Sequence, residues 1–197
     1  MQRVLSRAAA ILILAVVPAP LFHGASEEVK TTGGPKRTPD CVYVGTPYDV
    51  IDTMVDLASI DPQDLVYDLG CGDARILVAA ARRNGCHCVG YDINPLRVQE
   101  SLENVRKNEV SDLVKIEQQD IFSLDLKGAN AIMLYLLPKM NEKLIPQLEK
   151  LKPGSRIVCH DYRIKGMEPD KSITVTSLED GAPHDLYLYT APLKKEP

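Results

Sequence analysis

The run Leu65-Val66-Tyr67-Asp68-Leu69-Gly70-Cys71-Gly72-Asp73-Ala74-Arg75 restricts the possible folds of this chain more than any other stretch. Leu65, Val66, Tyr67 and Leu69 read as a short buried strand interrupted by one acid. Two glycines follow, and they permit a turn in which the backbone meets a ligand closely, because a Cβ would obstruct it. The next residues, Ile76 to Ala81, have the apolar and alanine content of a packed helix. Strand, glycine turn and helix form the first unit of a nucleotide-binding α/β fold, with the ligand at the strand's carboxyl end.

The rest of the chain repeats that unit. A helix is expected over 48–59, with Val50, Ile51, Met54, Val55, Leu57 and Ala58 as its buried stripe. The helix beginning near Ile76 should end at Gly85, a C-terminal cap. A strand over 87–92 ends in Asp92, and Pro95 opens a helix reaching Lys107. Further strands are expected over 113–117, 129–136 and 156–159, with a helix from Pro138 to Leu151 before the last of them. Residues 173–176 and 186–189 then read as an antiparallel pair closing the sheet. The fold class is α/β, a sandwich around a mostly parallel sheet of about seven strands with a terminal antiparallel hairpin.

Composition narrows what such a domain can do. A net charge of −4 argues against broad electrostatic binding to nucleic acid, and none is expected as a partner. Five cysteines without a CxxC pair are neither a disulfide framework nor a zinc site. Cys86-His87-Cys88 lacks a second ligand pair, so no metal is expected there. At the start, Arg3 and Arg7 precede an apolar run from Ala8 to Val17. That pattern fits a secretory signal peptide or an N-terminal anchor over 1–25, and the absence of acids before Glu27 also fits a mitochondrial presequence. The protein is therefore expected to be exported to a periplasm, held at a membrane through 1–25, or mitochondrial. Residues 26–40, with Gly33-Gly34-Pro35 and Pro39, read as a flexible linker, and 41–197 as the catalytic-size domain.

Residues at the strand ends indicate the ligand. Asp92 lies 20 residues after Gly72, the spacing of a carboxylate that accepts from ribose hydroxyls. A dinucleotide fingerprint would need glycine where Arg75 stands, and no GxxxxGK[ST] loop is present. Asp68 would repel a pyrophosphate but suits a ligand bearing an ammonium group. S-adenosylmethionine has that character.

These motifs resemble those of class I S-adenosylmethionine-dependent methyltransferases, whose fold is Rossmann-like. Val66 to Gly72 looks like the family's first motif, Gly90-Tyr91-Asp92 its second, and Gln119-Asp120-Ile121 its adenine-side motif. Leu151 to Arg156 resembles the turn before the fifth strand, and the family's frequent third glycine is here Ala74, a change expected to tighten the turn. The resemblance implies S-adenosylmethionine as cofactor. Asp68, Gly70 and Gly72 would hold its methionine end, Asp92 its ribose hydroxyls, and Asp120 and Ile121 would border its adenine, with Asp73 and Asn94 also among the cofactor-binding residues. The leading segment Tyr43-Val44-Gly45-Thr46-Pro47 is similar to that of a lysine methyltransferase group with an N-terminal hydrophobic segment, except that Gly45 replaces a proline. By that likeness Tyr43 and Thr46 would also face the cofactor.

The acceptor is less legible. Leu134 to Pro138 lacks the Asn/Asp-Pro-Pro-Tyr loop that orients planar amino groups, which counts against base methylation. Tyr135 could place an amine, and His160, beside Asp161, could act as a base; each also has a purely structural reading. Three functions stay open: methylation of a protein lysine or another amine, methylation of a small molecule such as a quinone or lipid precursor, and cofactor binding without catalysis.

Overall fold

Alternation of buried side chains organises the protein around its central strands. The computed structural model describes residues 38–196. The signal or anchor segment expected over 1–25 and most of the linker lie outside the described residues; 38–40, the linker's end, carry no helix or strand.

In chain order the elements are α1 (Tyr48–Ala58), β1 (Leu65–Leu69), α2 (Arg75–Asn84), β2 (His87–Asp92), α3 (Pro95–Lys107) and β3 (Val114–Gln118). A 3-10 turn, Ile121–Ser123, precedes β4 (Ala131–Leu134), α4 (Pro138–Leu148) and β5 (Arg156–His160). Four strands follow: β6 (Met167–Glu168), β7 (Lys171–Thr176), β8 (Pro183–Thr190) and β9 (Lys194–Lys195). The main sheet has seven strands in the order β3-β2-β1-β4-β5-β8-β7. The first five are mutually parallel, and β8 runs antiparallel to both of its neighbours. β6 and β9 form a separate two-residue ribbon.

All four residues of β4 are buried. Ala131 and Met133 join Val66 and Val158 under α1, α2 and α3, while Ile132 and Leu134 join Ile157 and Cys159 in the opposite layer with Leu144 and Leu148 of α4. This period of two, covered on both faces, is why the strand reads as continuously apolar. The order reverses between β1 and β4, so a crevice opens at their carboxyl ends, where open α/β sheets take ligands.

Local signals set the helix ends. Asn94 accepts from the Leu96 N–H at 3.0 Å ahead of Pro95, and Gly85, at φ 68, donates to the Ala81 carbonyl at 2.9 Å. The six residues expected to bury on α1 are those that do. Several boundaries differ from the sequence reading. β4 is four residues long rather than eight, because the Asn130 side chain caps the Leu65 N–H while Tyr135 and Leu136 leave the ladder to line the crevice. α4 stops at Leu148, three residues early, and β3 starts and ends one residue late. On α3 Leu102 is only partly buried, and Ser101 is fully buried beside Val98 and Val105. Arg156 opens β5 by pairing with the buried Asp64 and donating to the Ala58 carbonyl at 2.9 Å, tying that strand to the turn before β1.

Candidate active site

The glycine turn forms the floor of the crevice. Gly70 has φ +83, and a Cβ there would lie 2.9 Å from the Leu136 side chain, so an alanine would be both strained and crowded. The N–H groups of Gly70 and Cys71 both donate to the Tyr91 carbonyl of the neighbouring strand, which pins the turn to β2. Ala74, which caps α2, sits at φ 61 and ψ 18 and is fully buried. The expectation of a merely tighter turn is therefore corrected: alanine adopts the left-handed conformation that a glycine would occupy, at a cost of about 1–2 kcal/mol for an L residue.

Above this floor is a cavity of about 870 Å³, counting its open mouth, at the ends of β1, β2 and β4. Nine of the ten residues expected to meet the cofactor, all except Gly72, lie in its walls, and Tyr135 joins them. Gly72 is covered instead: the Tyr43 ring lies where its Cβ would be, only 2.1 Å from the nearest ring carbon. Its N–H still contributes, donating to Asp92 Oδ2 at 3.0 Å. His160 is not a wall residue either. It is fully buried behind Tyr135, whose ring stacks on it at 3.8 Å between centroids.

Carboxylates dominate the floor. Asp68 is 3% exposed, and burial, reinforced by the charges of Asp92 and Asp73, pushes its carboxyl up to about 8. Burial also raises Asp92, outweighing the N–H donors of Asn94 and Gly72 that favour its charged form. Asp73 shifts the other way: burial opposes ionisation, but the Arg75 guanidinium, at 2.8–3.0 Å, holds it below the usual range. A cation entering beside Asp68 and Asp92 relieves their repulsion, whereas a phosphate would aggravate it. Asp120 accepts from the Phe122 N–H at 3.0 Å and so caps the 3-10 turn that brings Ile121 to the wall.

The leading segment closes one side. Tyr43 lies under the Arg97 guanidinium, 4.7 Å from its ring centroid, and bonds to Asp73. Burial and that carboxylate raise its phenol. Thr46 is 3% exposed, its carbonyl accepting from Arg75 and its hydroxyl meeting His160 Nδ1 at 3.1 Å. Arg75 also explains Gly45, since a Cβ there would lie 2.6 Å from the guanidinium. Sequence reasoning missed Arg75 and Arg97 as site residues. Their signal was a charge just inside each of two helix starts following strand-end acids.

Beyond the end of β4, Tyr135, Leu136 and Met140 make an aromatic and apolar wall. Burial and a hydrogen bond to Asp161 raise the Tyr135 phenol. His160, by burial foremost and despite Asp161, is pushed down to about 4, so it is neutral near pH 7. Both its nitrogens are engaged, Nδ1 by Thr46 and Nε2 by His184 Nδ1 at 2.9 Å.

The cavity suits a nucleoside with an amino-acid tail. Its glycine floor leaves little room for a Cβ at Gly70, and its buried acids favour a cation over an anion. Comparison with known proteins agrees. The ANTKMT methyltransferase domain family matches residues 68–171. A protein-lysine N-methyltransferase of Saccharolobus islandicus is 42% identical over 154 residues, covering 77% of this chain and 94% of that one. The adenine nucleotide translocase lysine N-methyltransferase of Mus musculus is 26% identical over 64% of this chain, which spans 56% of that longer protein. Among solved structures, an RNA methyltransferase from Salinibacter ruber in complex with S-adenosyl-L-homocysteine superposes with a TM-score of 0.70 at 39% identity, covering 78% of this chain and 97% of its own.

Proposed function

This chain belongs to the ANTKMT methyltransferase-domain family of class I S-adenosylmethionine-dependent enzymes, and from that premise we propose that it methylates the side-chain amine of lysine in a protein acceptor. The observation that carries the acceptor assignment is the wall at the end of β4. Tyr135, Leu136 and Met140 offer an apolar surface to a four-carbon stem, and among the described residues of that wall none carries an amide to orient a planar nucleobase amine. The relatives named for lysine methylation support the same reading. So does the net charge of −4, which disfavours a polyanionic acceptor.

S-adenosylmethionine, when bound, supplies a methyl on a sulfonium sulfur that an amine lone pair displaces in line. The chain's own residues bind and align. Asp92, fixed by the Gly72 and Asn94 N–H groups, presents its carboxylate to the ribose hydroxyls. Asp68 offers a buried carboxylate to the ammonium of the methionine end. Ile121, held by the Asp120 cap, supplies an apolar edge for adenine. Tyr43 straps the glycine turn, and Tyr135 excludes water from the stem of the acceptor lysine. Such alignment alone supplies several kcal/mol of barrier lowering. The ammonium of the acceptor loses its proton to solvent before attack, since neutral, doubly hydrogen-bonded His160 is a poor base at pH 7. The basic-then-apolar pattern of residues 1–25 supports an encounter with the acceptor at a membrane surface.

Methyl-labelled cofactor offered with a whole proteome, its RNA and its lipids tests this assignment. The proposal requires label in the protein fraction; label in RNA or in the organic extract, with protein unlabelled, rejects it.

A further inference from the structure

Behind Tyr135, the ends of β5 and β8 bring together two histidines and an aspartate that the methyltransferase chemistry above leaves unused. His160 Nε2 faces His184 Nδ1 at 2.9 Å, and Asp161 Oδ1 lies 3.5 Å from the first and 3.7 Å from the second. A point about 2.0 Å from all three atoms exists for a triangle of these sides, and 2.0–2.2 Å is the bond length of Zn2+ to imidazole nitrogen and carboxylate oxygen.

Each group is also backed as a metal ligand is. A metal-bound imidazole donates its far N–H to an acceptor, which fixes the tautomer. His184 Nε2 lies 3.2 Å and 3.4 Å from the Asp180 carboxylate oxygens; these can only accept, so the proton of His184 sits there and Nδ1 presents its lone pair inward. His160 Nδ1 lies 3.1 Å from Thr46 Oγ1, a hydroxyl able to accept. Asp161 is held by two independent contacts, its Oδ1 accepting from the Asp185 N–H at 3.1 Å and its carboxylate from the Tyr135 hydroxyl. Its backbone sits at φ 59, and its N–H bonds the Asp185 carbonyl at 2.7 Å. His160 is fully buried and His184 nearly so, whereas Asp161 is 27% exposed and leaves a way in.

We propose that His160 Nε2, His184 Nδ1 and Asp161 Oδ1 form a three-ligand site for a divalent transition-metal ion of the Zn2+ class, clasping β5 to β8 behind the acceptor wall. Without the ion, the His160 proton resides on Nε2 and bridges to His184. With it, that proton moves to Nδ1 and is accepted by Thr46, so no net charge is lost from either ring. Through Asp161 the ion also fixes Tyr135, and through Thr46 it reaches the cofactor cavity. Imidazole and carboxylate together favour Zn2+, Co2+ or Ni2+ over Mg2+.

Binding of Zn2+ and Co2+ to the chelator-stripped full chain tests this without cofactor or acceptor, so its failure would leave the methyltransferase reading intact. One ion per chain should bind with a dissociation constant of about 10 µM or tighter, raise the melting temperature, and give a Co2+ d–d spectrum without thiolate charge transfer. His184→Gln and Asp161→Asn should each weaken binding at least about tenfold; asparagine tolerates the left-handed backbone at 161. Both avoid the fully buried His160, and circular dichroism confirms their folding. Three results would overturn the proposal: no binding at about 100 µM, binding unchanged in both variants, or a thiolate band that disappears on replacing Cys86 and Cys88, whose sulfurs lie 3.7 Å apart.

Discussion

Replacing Asp68 by asparagine keeps the shape of the side chain and removes its charge. In the free protein that carboxyl is pushed up to about 8, so it is largely protonated at pH 7. Binding an ammonium there has two parts. A charge pair at about 4 Å with an effective dielectric of about 20 contributes about 4 kcal/mol. Removing the proton at pH 7 costs about 1.4 kcal/mol, one pH unit below the pKa. The wild-type advantage is thus about 2.6 kcal/mol, roughly 80-fold in affinity. At pH 6 the deprotonation cost doubles and the advantage falls to roughly tenfold; above pH 8 it vanishes and the advantage approaches about a thousandfold. Calorimetric titration with S-adenosylhomocysteine, which carries the ammonium without a reactive methyl, reads both quantities. Wild type should release close to one proton on binding at pH 7, and Asp68→Asn should release less. Equal affinities at pH 7, or a ratio constant from pH 6 to 8, would refute the assignment. The same shift affects stability. The folded pKa exceeds the ordinary 3.8, so the group's contribution is full below about 4 and is lost as pH rises through about 8. Asp68→Asn should therefore melt above wild type at pH 8, by a margin that shrinks toward pH 5.

Other consequences are more quickly stated. Asp92→Ala should weaken cofactor binding by at least about tenfold while the domain still folds, because a charged hydrogen bond contributes about 1.5–3 kcal/mol; equilibrium binding measures it. Gly70→Ala should reduce both stability and cofactor affinity, given φ +83 and the Leu136 contact at 2.9 Å, and thermal melts with and without ligand separate the two. Asp64→Ala leaves Arg156 unpaired at the start of β5 and should cost about 3 kcal/mol or more in urea unfolding.

Much of this architecture is written locally. Asp68 and Asp92 follow largely apolar strands and Asp120 follows the alternating strand β3, and all three lie at strand ends around one cavity, because a parallel sheet gathers its carboxyl ends on one side. Gly85 and Pro95 marked helix ends through backbone preferences that need no tertiary context. What stayed hidden depends on contacts between distant segments. Arg75 gains its role only when the leading segment folds back and presents the Thr46 carbonyl, 29 residues away. His184 meets His160 only because β8 inserts between β5 and β7. The β6–β9 ribbon has two residues on each side, too few for any periodicity to register. Covering of Gly72 by Tyr43 is likewise a long-range contact, so the sequence placed Gly72 against ligand where the structure places it under an aromatic ring.

The most direct test of the proposed chemistry identifies the methylated atom. Acceptor protein labelled by this enzyme with methyl-labelled S-adenosylmethionine is hydrolysed completely and its amino acids are separated. The account predicts label in Nζ-methylated lysine, reduced at least about tenfold when Asp92→Ala replaces the wild type at low cofactor concentration. Label in methylated arginine, histidine or a carboxyl ester, with lysine unlabelled, would contradict it.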